Sequence, residues 1–112
     1  MINRRQYERM RFPMPLQFSG GKWHAQSALM KDISAGGVCL RTEEFIGVGS
    51  KLVLELYLPS FGETHTMVGK VVWNRELPNI SRHEVGVQFT DLSEDIQNRI
   101  QRFVEKSLSS PS

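Results

Sequence analysis

At 112 residues the chain is the size of one domain and can bury a modest single core without disulfide or metal staples. Its 39% hydrophobic and 23% charged content is ordinary for a soluble globular protein. No apolar run approaches the ~20 residues of a membrane span, and no hydrophobic stretch follows the first arginines. Membrane insertion and a secretory leader are therefore not expected, and the expected compartment is the cytoplasm. The lone Cys39 cannot form an internal disulfide. Lying between Val38 and Leu40, it reads as a buried, inert thiol.

The net charge of +2 is unevenly spread. Residues 1–12 hold Arg4, Arg5, Arg9 and Arg11 against Glu8, a balance of +3, and the remainder carries ten basic and eleven acidic residues. All four basic residues of the arm are arginine. A solubilising arm needs only charge, whereas arginine adds a planar fork that grips phosphate or a guanine edge. The arm has low apolar content and no clear period, which predicts a flexible segment over 1–12.

Pro13 and Pro15 force extended geometry and end any helix begun in the arm. A first strand is predicted from Leu16-Gln17-Phe18, with Ser19-Gly20-Gly21 as its turn. A second runs from Trp23 to Lys31 and leads into Asp32-Ile33-Ser34-Ala35-Gly36-Gly37. Val38 to Thr42 reads as the third. Lys51 to Leu58 alternates strictly, with Leu52, Leu54, Leu56 and Leu58 on one face. Thr64 to Arg75 reads as a long strand with Met67, Val71 and Trp73 on one face, and Gly69 there marks a bend or a close crossing. Val85, Val87 and Phe89 form the inward face of a last strand.

After Asp91-Leu92-Ser93 the period changes. Ser93 can cap a helix, and Glu94 and Asp95 suit its positive end. Ile96, Ile100, Phe103, Val104 and Leu108 fall on one helical face, expected to pack on the domain. Short strands with turn signals and one terminal helix predict a mainly β fold: a six-stranded antiparallel barrel with a C-terminal α-helix. The expected division is a basic arm over 1–12, the barrel and helix over 13–108, and a tail over 109–112.

Catalytic patterns are absent. Gly20-Gly21-Lys22 lacks both the spaced glycine and the Ser or Thr of a phosphate loop, because Trp23 follows. His24, His65 and His83 are scattered and share no metal-ligand spacing with Cys39. Asp32 is no general base for Ser34 two residues away. The chain is therefore not expected to be an enzyme or to carry a cofactor. The Asp32–Gly37 stretch has two readings. It is a tight turn before a strand, or a loop whose small residues admit a ligand to the main chain.

Arg5-Gln6-Tyr7-Glu8-Arg9 is an RxxxR element, and Asp32-Ile33-Ser34-Ala35-Gly36-Gly37 is a DxSxxG element that begins 23 positions after Arg9. In that order, with a six-strand pattern, Gly69-Lys70-Val71-Val72-Trp73 and an acidic-capped helix, nearly the whole chain resembles PilZ domains, bacterial receptors for cyclic di-GMP. The resemblance implies a split barrel that binds this second messenger. Arg5 and Arg9 would clamp phosphate and the O6/N7 edge of guanine. Asp32 would accept from guanine N1–H and N2–H₂, Ser34 would bond nearby, and Gly36 and Gly37 would permit close approach. Arg4 would stack on a base or meet a second ligand molecule.

The implied mechanism is an arm that orders over the barrel on binding. With no output domain expected, the signal would pass to an effector protein that the sequence does not name. A small nucleic-acid-binding barrel would also use the arginines but would leave Asp32 and Ser34 unexplained, so DNA or RNA is not expected as partner. An interaction adaptor that does not bind the nucleotide would require both motifs to be idle.

Overall fold

Leu52, Leu54, Leu56 and Leu58 have no exposed surface in the folded chain, while Glu55 and Tyr57 between them face water. Each such leucine contributes about 1.5–3 kcal/mol by leaving water, and this one row fixes which side of the sheet is the core. The computed structural model describes residues 7–20, 23–59 and 61–109. Six strands precede one helix: β1 (Arg9–Gly20), β2 (Trp23–Ser34), β3 (Gly37–Thr42), β4 (Lys51–Tyr57), β5 (Thr64–Leu77), β6 (Arg82–Phe89) and α1 (Glu94–Ser109). They form a closed antiparallel barrel in the order β1-β2-β3-β6-β5-β4, the mainly β fold expected from the strand pattern.

The closing seam is short. β1 pairs with β4 only at Gln17, Phe18 and Ser19, whereas it pairs with β2 from Arg9 to Gly20. The N-terminal half of β1 therefore lies open toward β4, and α1 covers the gap. Phe12 meets Phe103 edge to face, with ring centroids 5.3 Å apart. Ile100 and Val104 are fully buried, and Ile96 and Phe103 pack against the core. Ser93 caps the helix by accepting from the Ile96 N–H at 3.2 Å. Leu108 does not join this face. It is 49% exposed, because the helix has run past the barrel by its last turn.

Two strand details differ from expectation. β1 begins at Arg9, well before Leu16, so the last residues of the expected arm are strand. A register shift between Arg11 and Met14 absorbs Pro13, whose ring supplies no ladder donor, and lets Met10 turn into the core. Trp73 leaves the inward face of Met67 and Val71. A register shift between Val71 and Trp73 turns its indole outward, where it is 42% exposed. Gly69 is the close crossing its position suggested, since a Cβ there would stand 2.4 Å from the Val87 side chain.

Candidate functional site

The β2–β3 hairpin places Asp32 and Ser34 on the outer face of the barrel beside the start of β1. In the β1–β2 ladder Arg9 lies opposite Ser34, and Arg11 opposite Asp32. Arg9 reaches across both. Its Nη1 forms an ion pair with Asp32 Oδ1, and its Nη2 donates to Ser34 Oγ at 3.3 Å. Ser34 Oγ also accepts from the Gly36 N–H at 3.1 Å, which ties the hairpin turn to the serine. With both lone pairs engaged, the Ser34 hydroxyl keeps its proton for a third partner. Asp32 remains about one quarter exposed and Arg9 about one third, so both can still be reached from solvent.

The turn is held from behind. The Gly36 carbonyl accepts from the Phe89 N–H at 2.9 Å, and the Ala35 carbonyl from Gln97 Nε2 on α1 at 3.3 Å. These bonds fix the loop against β6 and the helix. Neither Gly36 nor Gly37 has a positive φ, so the turn does not need glycine for its backbone angles. Gly37 is required by packing instead. A Cβ there would lie 2.0 Å from the Val87 carbonyl oxygen on β6. A Cβ on Gly36 would stand 3.2 Å from the Tyr7 ring, which covers the turn.

The structure thus brings together Arg9, Asp32, Ser34, Gly36 and Gly37 of the residues singled out from sequence. Arg4 and Arg5 lie outside the described residues. Tyr7 is an addition, since composition treats it as one residue of a polar arm. Strand register adds a row beside Asp32: Cys39 lies opposite Asp32 and Gly86, and Gly86 lies opposite Trp73. The Trp73 indole packs against the Gly86 backbone, so close that a Cβ there would fall 2.1 Å from Nε1. No sequence period reveals this row, because the bulges in β2 and β5 reset which residues face out.

Cys39 is the buried thiol expected, at 7% exposure. Burial pushes its pKa up to about 11, and the nearby Asp32 and Glu84 carboxylates add to the rise. It is neutral at physiological pH and forms an inert floor between the charged groups.

The chain is a closed six-stranded antiparallel barrel, sealed by a C-terminal helix and bearing an arginine on β1 paired with the β2–β3 hairpin. The PilZ domain family model matches residues 3–106, and the chain belongs to that family. Solved structures agree at the level of fold. The inhibitor of motility MotI/DgrA from Bacillus subtilis aligns with a TM-score of 0.80 at 20% identity, covering 99% of this chain and 55% of that one. The K. pneumonia MrkH–c-di-GMP complex aligns at 0.74 and 22%, covering 96% and 53%. The PilZ domain of YcgR from Escherichia coli, solved with c-di-GMP, aligns at 0.71 and 15%, covering 96% and 100%. The chain thus spans about half the length of MotI and MrkH. Comparison with curated protein sequences gives no match.

Proposed function

We propose that the chain is a receptor for cyclic di-GMP, held between the RxxxR element and the DxSxxG hairpin. The observation that carries this reading is the meeting of the two elements at one place: Arg9 contacts both Asp32 and Ser34 across 23 and 25 residues of sequence. Structures of similar fold solved with c-di-GMP support the choice of ligand.

The chemistry of the pair suits guanine. The base offers O6 and N7 as acceptors on one edge and N1–H and N2–H₂ as donors on another. An arginine fork matches the first and a carboxylate the second. Without ligand, Arg9 and Asp32 satisfy each other. Guanine replaces that single ion pair with two sets of directed bonds, and the free Ser34 proton adds a donor. Arg5 takes phosphate, and Arg4 stacks on a base or meets a second ligand molecule. Gly36 adds no side chain to the hairpin turn, and Gly37 seats that turn close on β6. Binding fastens the residues before β1 to the barrel, and an effector protein reads the altered surface. From Arg9 onward the arm is already strand.

Calorimetric titration of cyclic di-GMP into the protein and into Arg9→Ala and Asp32→Ala tests the reading. Losing a charged hydrogen bond costs about 1.5–3 kcal/mol, tenfold or more in affinity. Saturable binding weakened in both variants is the expected result. An intact protein that evolves no heat and binds nothing would overturn it.

A further inference from the structure

One row along the outer face from Cys39 lies a charged cluster that the proposed nucleotide site does not use. At its centre is Glu84 on β6, whose side chain is only 3% exposed. Arg75 on β5 donates to its Oε1 from Nε at 2.9 Å and from Nη2 at 2.7 Å. Lys31, the extra residue in the β2 bulge, donates from Nζ to Oε2. Arg41 on β3 stands opposite Glu84 in the ladder, with Nη2 3.5 Å from Oε2.

A purely structural ion pair does not need this many cations. One carboxylate carries one charge, and Arg75 and Lys31 already engage both of its oxygens. At 3.5 Å the Arg41 contact is longer than an ordinary hydrogen bond. The Arg41 Nε–H is buried and has no acceptor among the described residues. Three cations around one carboxylate leave a local charge of +2. The neighbouring carboxylates do not cancel it, since Glu43 lies 3.6 Å from Arg82 and Asp32 is paired with Arg9. The cations remain open to solvent, with side-chain exposures of 30% for Lys31, 34% for Arg41 and 65% for Arg75.

We propose that Lys31, Arg41 and Arg75 form a second oxyanion seat, for a phosphate group, on the same face as the Arg9–Asp32 site. Two guanidinium forks and one ammonium suit an oxyanion with several acceptor oxygens, whereas a planar carboxylate is satisfied by one fork. Glu84 is a positioning residue: it aims the cations and keeps them apart. Arg41 follows Cys39 by two residues on one face of β3, about 7 Å along the strand, and Lys31 adjoins Asp32. The phosphate belongs either to the nucleotide bound at Arg9 and Asp32 or to a second phosphate-bearing molecule. The first source rests on the function proposed above; the seat itself does not.

The test uses two probes on the full chain, inorganic pyrophosphate and cyclic di-GMP, with Arg41→Ala as the main variant. Glu84 keeps Arg75 and Lys31 in that variant, so the fold is retained, and Arg41→Lys restores charge without the fork. In amide NMR spectra, pyrophosphate is expected to shift resonances around Lys31, Arg41 and Arg75. Arg41→Ala should weaken its binding about tenfold, and Arg41→Lys should recover part of the loss. With cyclic di-GMP, weaker binding at constant stoichiometry in Arg41→Ala assigns the phosphate to the same nucleotide, and a stoichiometry lower by one assigns it to a second molecule. Pyrophosphate shifts at the seat in a protein that does not bind cyclic di-GMP would uphold the seat and overturn the nucleotide reading alone. Pyrophosphate that leaves these resonances unmoved, or binds Arg41→Ala as well as the intact protein, would overturn the seat.

Discussion

Gly36 and Gly37 are adjacent in sequence and unlike in what they tolerate. A methyl on Gly37 meets a backbone carbonyl at 2.0 Å, and neither strand can yield without breaking the β3–β6 ladder. Gly37→Ala is expected to cost about 1–3 kcal/mol or more as overpacking, lowering the melting temperature by about 4–8 °C per kcal/mol. A methyl on Gly36 meets the Tyr7 ring, which can turn away, at 3.2 Å and touches the Ser34 Oγ at an ordinary 3.7 Å. Gly36→Ala should melt close to the intact protein while its Tyr7 ring resonances move. Equal melting of the two variants would refute the packing role of Gly37. The motif glycine was legible in the sequence, but its reason was not. Spacing marks a small residue before a strand; only the fold shows that a β6 carbonyl occupies the space. Cys39 carries a pH signature of its own. Its pKa is about 11 when folded against 9.0 for the free thiol, so between those values the unfolded chain ionises and the native one does not. Its contribution to stability is complete below about pH 9 and is lost as the pH rises toward 11. Denaturation curves across that window should flatten in Cys39→Ala relative to the intact protein.

At the scale of elements, the strict alternation of β4 and the 3.6-residue period of α1 survive folding almost unchanged, because each buries one face against one core. β2 and β5 were harder to read, because each contains a register shift. Those shifts move Lys31 and Trp73 to the outer face, and a period of two cannot anticipate an inserted residue. Glu84 shows the consequence. In sequence it is one more charge on a strand; in the fold it links β2, β3, β5 and β6 through Lys31, Arg41 and Arg75. Burial works to raise its pKa, but hydrogen bonds and charge from Lys31 and Arg75 outweigh burial and hold the carboxyl below its ordinary 4.5. A depressed folded pKa gives stability that is present above the unfolded value and lost as the pH falls through the folded one. Glu84→Gln leaves three solvent-reachable cations without their anion and is expected to cost about 1.5–3 kcal/mol. Urea denaturation at pH 7 would read this loss, and its acid limb should be shallower in the variant. A variant as stable as the parent would show that the cations, rather than the carboxylate, fasten these strands.

For the whole molecule, the decisive feature is where the barrel is weakest. β6 is paired on both edges along its length, but the first half of β1, which carries Arg9, has β2 on one side and side chains of α1 on the other. Opening free energies vary across a fold with local packing and pairing. Amides of Arg9 to Phe12 should therefore exchange with solvent faster than those of β6. Cyclic di-GMP bridging Arg9 and Asp32 would bind only the closed form. At a free concentration of about 100 times its dissociation constant it would add ~2.7 kcal/mol to that closure, slowing exchange about a hundredfold. Phe103→Ala removes the ring that meets Phe12 and should speed exchange at Arg9 to Phe12 while leaving β5 and β6 unchanged. Its affinity for the nucleotide should fall as well, because ligand binding must then restore order that the helix no longer supplies. Uniform exchange around the barrel, or equal slowing of every strand by ligand, would mean that the Arg9 end is no looser than the rest. A lasting coupling between Phe103 and the nucleotide would instead make α1 part of the receptor, since the helix that seals the barrel would also set how readily the site closes.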